Sequence, residues 1–141
     1  MKNSILALLL LFPLSLLAQE NYQFGSYWSV TSVETKPGHF EDYIADLKKN
    51  WRSSLETQKK EGHVLSYRMF SNVDVREGEP NLWLFVEHKS AGSAYDLPYD
   101  YWEKHAEKLW GSMKKGTEAS VDRGELRTIK SNILLREISF K

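Results

Sequence analysis

Apolar residues recur at helical spacing between Phe40 and Leu55. At about 100° per residue they fall on one stripe of a helix, wide enough to cover a sheet. The stripe contains Phe40, Ile44, Leu47, Trp51 and Leu55, with Tyr43 on its flank. Acidic residues in the first turn and Lys59 and Lys60 in the last suit the helix dipole, and Gly62 supplies a stop. The pattern predicts one long amphipathic helix.

Four other segments alternate like strands and carry large apolar residues on both faces. They lie at about 27–35, 63–70, 81–89 and 132–140. The third is the most apolar on both sides, so we expect it to be a central strand.

A second amphipathic helix is predicted from Pro98 to about Lys115. Its apolar stripe contains Trp102, Ala106, Leu109, Trp110 and Met113. Polar loops are predicted at 71–80 and 90–97. Residues 117–130 are polar with few apolar anchors, and we interpret them as an excursion over the surface.

The element order is therefore β-α-β-β-α-β, which predicts an α+β, ferredoxin-like fold with a four-stranded antiparallel sheet and two helices on one face. Two helices cover one face of such a sheet and leave the other face exposed. Because that face is also rich in apolar residues, we expect it to be an interaction surface. The sequence thus predicts a homodimer whose sheets pack face to face around a barrel-like core.

The first residues have the layout of a secretory signal peptide. Lys2 precedes an apolar run from Ile5 to Leu17, and Ala18 precedes the expected cleavage site. A membrane anchor is the alternative, but the run is short for a span and Pro13 interrupts it. We predict a signal peptide at 1–18, a mobile mature terminus at 19–26 and one domain at 27–141, in a secreted or periplasmic protein.

The charge balance limits the classes of partner that we expect the protein to bind. The chain has 19 basic and 19 acidic residues, and loss of Lys2 with the signal peptide brings the formal charge to −1. This argues against nucleic acid and against an anionic membrane surface after cleavage, since both require a concentrated basic face. The chain contains no cysteine, so it has neither disulfides nor a thiolate nucleophile.

Four features occur in order along the chain: a strand from Trp28 to Val33, the turn Lys36-Pro37-Gly38, a helix opening with Phe40-x-x-Tyr43, and a Tyr67-containing strand after Gly62. In this order they resemble the dimeric α+β barrel superfamily over residues 27–140. The superfamily includes antibiotic-biosynthesis-type monooxygenases, NIPSNAP-like proteins and stress-responsive A/B barrel domains. Its activities range from cofactor-independent oxygenation to haem chemistry, so the resemblance implies a fold and leaves the activity open.

Three residues are candidate catalytic groups: His88, Arg68 and Tyr67. An imidazole near the end of an apolar strand can act as acid, base or ligand, and a strand-borne arginine can bind a carboxylate or phenolate. Structural alternatives stand beside these roles: a hydrogen-bonded core histidine, and an arginine paired across strands with Glu87 or Glu137.

Candidate ligand-binding residues are mostly aromatic: Tyr43, Trp51, Trp83, His105 and Arg136. Aromatic residues at regular spacing are also typical of a core. No histidine spacing typical of a metal site occurs, so neither a metal nor a cofactor is predicted.

The leading hypothesis is an exported dimer that binds a small apolar or aromatic molecule in the cleft between sheet and helices. One alternative is a cofactor-independent monooxygenase in which His88, with Arg68 and Tyr67, deprotonates a phenolic substrate. A second is a structural or interaction module without a ligand. Whether the protein is an enzyme stays open at this point.

Overall fold

The computed structural model of the protein describes residues 21–141, so the predicted signal peptide lies outside the described residues. The first strand, β1 (Tyr22–Thr35), begins five residues earlier than the sequence pattern indicates. Its early part, predicted as a mobile lead-in, pairs with the end of the last strand, with Tyr22 opposite Phe140. A register shift between Phe24 and Tyr27 breaks the alternation there, which conceals the strand in the sequence.

The long predicted helix is present but contains a widened turn. It consists of α1 (Phe40–Asp46), a π-helical turn (Leu47–Trp51) and α2 (Arg52–Lys60). Tyr43, Leu47 and Leu55 are buried, so Tyr43 lies at the centre of the helix face rather than on its flank. In an α-helix, a residue four positions further along lies slightly ahead around the helix axis. The π-helical turn rotates less per residue and therefore compensates for that offset. The widened turn therefore keeps this set facing the sheet.

The middle of the chain forms two strands and a short helix. They are β2 (Ser66–Ser71), β3 (Leu82–His88) and α3 (Ala91–Tyr95). The second strand thus starts three residues later than predicted. The segment predicted as a loop at 90–97 contains α3 because Ser90 and Ser93 form a reciprocal capping box at its start.

The second long helix ends earlier than predicted. α4 (Tyr99–Trp110) stops at Gly111, whose φ of 84° is the left-handed conformation that glycine adopts most easily. Ser112 then caps a new helix, α5 (Met113–Asp122), by accepting a hydrogen bond from the Lys115 amide.

The prediction of a surface excursion at 117–130 is therefore wrong. That segment contains most of α5, a 3-10 turn (Arg123–Glu125) and the start of β4 (Arg127–Phe140). α5 is polar because it packs on α4 along one side only.

The four strands form one antiparallel sheet in the order β2-β3-β1-β4, with the helices on one face. This arrangement confirms the predicted α+β, ferredoxin-like fold. Strand β3 is central, as expected from its two apolar faces. The core lies between this sheet and the helices, where Val33, Leu82 and Leu84 meet Tyr43 and Leu47.

The strand register assigns each side chain to a face. Thr31 pairs with Leu84 and Val33 with Leu82, so these residues share the face that the helices cover. Residues one step along, including Trp28 and Phe85, share the opposite face, which no helix of the described residues covers. We call this second surface the open face. Its large apolar residues agree with the predicted alternation.

Candidate functional site

A cleft of about 340 Å³ lies on the open face, and we call it the sheet-face cleft. Three aromatic rings form its walls, and two pairs of them contact edge to face: Phe85 with Trp28 at 6.3 Å and Phe85 with Phe70 at 5.2 Å between ring centroids. Strand pairing brings its other residues to the same place, since Arg68 lies opposite Phe85 and Leu135 opposite Trp28. The lining comprises Trp28, Arg68, Phe70, Phe85, Leu135, Arg136 and Glu137.

Two arginines line this cleft, but only Arg68 has its side chain on the open face. Arg136 pairs with Tyr27, and Tyr27 pairs with His88 on the helix-covered face. Arg68 lies 5.9 Å from the Trp28 ring centroid, and Arg136 lies 4.1 Å from that of Phe24 and 5.0 Å from that of Tyr27. Within residues 21–141, neither guanidinium has an ion-pair partner closer than 4.0 Å. Pairing of these arginines with Glu87 or Glu137 across strands, the structural alternative above, is therefore not what the structure shows. Both charges are held against aromatic rings.

The carboxylates beside the cleft are bound by hydroxyl groups. Glu87 accepts hydrogen bonds from Ser66 and from Ser26, the latter at 2.7 Å. These two bonds, Ser66 first, hold the pKa of Glu87 below its usual range, with a smaller contribution from the charge of Arg68. Ser26 Oγ also lies 3.2 Å from Glu137. The acidic groups thus have hydroxyl partners of their own, and the Arg68 guanidinium is not paired with them.

The three candidate catalytic residues do not meet in one cleft. Tyr67 pairs with Val86 on the helix-covered face, whereas Arg68 is on the open face. The Tyr67 hydroxyl donates to Glu56 at 2.6 Å, which raises the pKa of Tyr67. Its ring contacts Trp51 edge to face at 5.3 Å. Tyr67 therefore has a structural role, in which it links β2 to α2.

His88 is buried on the same face as Tyr67. Its Nε2 lies 3.1 Å from Ser29 Oγ. Its Nδ1 is buried, and no atom of the described residues makes a well-formed hydrogen bond with it. Burial lowers the pKa of His88, and a backbone group of His63 offsets part of that shift. The ring is thus held neutral in the layer between sheet and helices.

The candidate ligand-binding residues are dispersed over the molecule. Tyr43 is part of the core, and Trp83 lies opposite Phe70 at the far end of the open face. Trp51 lines a smaller cleft of about 220 Å³ at the seam between helix and sheet. His105 lies between α2 and α4, where its Nε2 is 2.7 Å from Ser54 Oγ. Of the five, only Arg136 lines the sheet-face cleft.

Five residues of the sheet-face cleft are absent from the sequence candidates: Trp28, Phe70, Phe85, Leu135 and Glu137. A signal for them exists in the alternation of each strand. Once Arg68 is taken as a candidate, the side chains that share its face are the ones to examine. The sequence hypothesis placed the ligand between sheet and helices instead.

Within residues 21–141 there is no group of three or more histidine, aspartate or glutamate side chains placed to hold a metal ion. Over the same range, each helix is too short or too polar to cross a membrane.

No protein-family model matches the sequence, and no curated protein matches it significantly. Among solved structures, the chain is similar to a proposed antibiotic biosynthesis monooxygenase from Chloroflexus aurantiacus, with 16% identity, 80% of this chain and 93% of that chain covered, and a TM-score of 0.45. It is also similar to a dimeric ferredoxin-like protein of unknown function from Bacteroides fragilis, with 11% identity, coverages of 82% and 98%, and a TM-score of 0.43.

A third similar structure is a dimeric ferredoxin-like protein from an uncultured marine organism, with 9% identity, coverages of 83% and 89%, and a TM-score of 0.47. These descriptions name the kinds of protein that the sequence resembles. The fold itself follows from the strand order and helix placement of this chain.

Proposed function

We propose that the protein is an exported homodimer that binds a small aromatic molecule carrying a negative charge in the sheet-face cleft. One observation carries the proposal: the Arg68 guanidinium, without a carboxylate partner within 4.0 Å in the described residues, lies in a cleft walled by three aromatic rings. The rings provide apolar contact area, and a guanidinium binds a carboxylate or phenolate through paired hydrogen bonds. The proposed ligand site thus lies on the open face of the sheet, whereas the sequence hypothesis placed it between sheet and helices.

The open face supports the dimer. Phe70 and Leu135 expose 50% and 46% of their surface there, and Ile133 lies close by on the same strand as Leu135. At about 25 cal/mol per Å², covering several hundred Å² of such surface stabilises an assembly by many kcal/mol. The sequence resemblance implies that a second copy of the chain covers this face. In a twofold dimer, the same apolar face of each copy packs against that of the other. The sheet-face cleft then becomes enclosed between two sheets.

Export rests on the sequence alone. The apolar run from Ile5 to Leu17 followed by Ala18 supports a cleaved signal peptide, and a chain without cysteine needs no disulfide chemistry after export. Amino-terminal sequencing of the mature protein, recovered from the periplasm or the medium, tests it. Gln19 as the first residue supports export, and an intact Met1 in the cytoplasm contradicts it.

The arrangement of the polar groups favours binding over oxygenation. A mechanism that uses His88, Arg68 and Tyr67 together needs all three to reach one substrate. Arg68 is on the open face, while the other two are on the helix-covered face. The cleft contains Arg68, which can hold an anion, and no histidine lines it.

Calorimetric titration with 2-naphthoate, a flat aromatic carboxylate, tests the binding site. We expect saturable binding that Arg68→Gln weakens about 10- to 100-fold, as expected for loss of a charged hydrogen bond. Arg136→Gln should leave the affinity nearly unchanged, because the register puts the Arg136 side chain on the other face of the sheet. Arg76→Gln is the matched control, because Arg76 lies in the exposed loop between β2 and β3. Equal affinity in all four proteins, or no saturable binding to the wild type, would contradict the proposed site.

A further inference from the structure

A separate cleft of about 360 Å³ lies among α2, α4 and α5, and we call it the interhelical cleft. Its size is within the range of small-molecule sites. Its lining residues are neutral at physiological pH, given a neutral His105: Ser54, Trp102, His105, Ala106, Trp110, Met113, Gly116, Thr117 and Ser120. In this it differs from the sheet-face cleft, which contains two arginines and a glutamate.

His105 is the most confined polar group of this cleft. Only 5% of its surface is exposed. Three aromatic rings surround the imidazole: Tyr101 stacks on it at 5.7 Å, Trp102 meets it edge-on at 5.7 Å, and Trp110 lies 6.4 Å away. Burial lowers the pKa of His105, and the nearby charges of Glu61 and Lys108 act in opposite directions. The ring is therefore neutral near pH 7.

The hydrogen bonds of His105 are incomplete. Ser54 Oγ lies 2.7 Å from Nε2 and also accepts a hydrogen bond from the Gln58 side-chain amide at 3.1 Å. Nδ1 is buried and has no hydrogen-bond partner within residues 21–141. In one tautomer Nδ1 is a donor and in the other an acceptor, and neither role is filled. A buried polar atom left in this state costs about 1–3 kcal/mol.

The aromatic wall of the cleft is also closely packed. A Cβ atom on Gly116 would lie 2.9 Å from Cε3 of Trp110. A glycine at this position lets the Trp110 ring lie against α5. Trp110 Nε1 donates to Asn50 at 3.1 Å, which fixes the ring from the side of the π turn. The aromatic wall is thus held in place from two sides.

We propose that the interhelical cleft is a second ligand site, which takes a neutral aromatic molecule bearing a hydroxyl group. The indole rings provide the apolar walls, and the hydroxyl, which both donates and accepts, bonds to Ser54 Oγ, the group that contacts His105 Nε2. An anionic ligand is disfavoured, because no cation lines the cleft to offset its loss of hydration. This site is independent of the anion site on the open face.

Nuclear magnetic resonance of the indole N–H groups of the intact protein tests the proposal with two probes that differ only in the polar group. The five tryptophans give one indole signal each, and Trp102 and Trp110 report on the interhelical cleft while Trp28 reports on the sheet-face cleft. We expect 2-naphthol to shift the Trp102 and Trp110 signals in a saturable manner. We expect 2-naphthoate to leave those two signals unchanged.

A variant that fills the cleft provides the second arm. Ser120 is exposed and lines the cleft from α5, so Ser120→Phe should occupy the site without loss of the fold and weaken 2-naphthol binding more than tenfold. Glu118→Phe, on the same helix but outside the lining, is the matched control and should bind as the wild type does. Absence of saturable shifts at Trp102 and Trp110, or equal binding by Ser120→Phe and wild type, would overturn the proposal. In either case, the Trp28 signal still reports whether 2-naphthoate binds in the sheet-face cleft.

Discussion

Tyr67 and Arg68 are neighbours in the sequence and point to opposite faces of the sheet, because Tyr67 pairs with Val86 and Arg68 with Phe85. Their roles should therefore separate on mutation. Tyr67→Phe removes the hydrogen bond to Glu56 and should lower the free energy of unfolding by about 1 kcal/mol with unchanged 2-naphthoate affinity. Arg68→Gln should show the reverse pattern. Chemical denaturation and calorimetry on the two variants check this, and a loss of affinity in Tyr67→Phe would contradict it.

The proposed homodimer depends on the apolar open face. Leu135→Lys places a charge in the middle of the proposed interface, where desolvation of an unpaired ammonium is costly, so the variant should be monomeric at micromolar concentration. Val73→Lys is the control, since Val73 is an exposed apolar residue in the loop after β2. Size-exclusion chromatography with light scattering gives the masses. A monomeric wild type would refute the dimer.

The ion pair between Arg123 and Asp46 links the 3-10 turn after α5 to the end of α1. Its Nε–Oδ2 distance is 2.6 Å and each side chain is 18% exposed. Arg123→Ala leaves a largely buried carboxylate without its cation, and should lower the free energy of unfolding by about 1–3 kcal/mol. Lys114→Ala, which removes an exposed pair with Glu118 at 3.9 Å, should change it by less than about 1 kcal/mol. Equal losses in the two variants would argue against this role.

Gly111 separates α4 from α5 through its left-handed backbone. With φ at 84°, an alanine there is strained, and we expect Gly111→Ala to lower the free energy of unfolding by about 1 kcal/mol. A methyl group on Gly124 would meet open space, and its φ is not positive, so Gly124→Ala should be neutral within about 0.5 kcal/mol. Thermal or chemical denaturation distinguishes the two. Continuation of α4 through residue 111 in the variant would contradict the account of the helix break.

Two buried histidines should make the protein less stable in mild acid. Burial lowers the pKa of His88 and of His105 in the folded state, so below about pH 6.5 the unfolded chain binds more protons than the folded one. The contribution of neutral His is complete above that pH and is lost as the pH falls. Unfolding free energies measured from about pH 7.5 to about pH 5 should decrease, and His105→Phe should reduce the slope. A slope that His105→Phe leaves unchanged would contradict this account.

The parts of the fold with strong periodicity were predictable from the sequence. The stripe from Phe40 to Leu55 identifies the first long helix, and the alternation of β3 identifies both of its faces. The start of β4 was not predictable in the same way. A register shift places Ser131 opposite Ser32 and Ile129 opposite Val33, so the alternation changes phase and the strand appears to begin later.

The site was less predictable than the fold, because a cleft on a sheet depends on which strands are adjacent. Alternation alone separates Tyr67 from Arg68, and applied strictly it excludes a site built from both. It does not show that Leu135, near the end of the chain, lies opposite Trp28 near its start. The pairing of Ser54 with His105 depends on how two helices cross, which no local pattern encodes.

The pairing of β1 with β4 has a consequence for how the chain folds. These strands are aligned from Tyr22–Phe140 to Thr35–Arg127, so the first described strand gains one of its two neighbours only when the last residues arrive. Closing a segment of about 100 residues before that contact forms is entropically costly and slows folding. A polypeptide that lacks β4 has a sheet with an exposed edge along β1, so the sheet is incomplete until β4 has been synthesised.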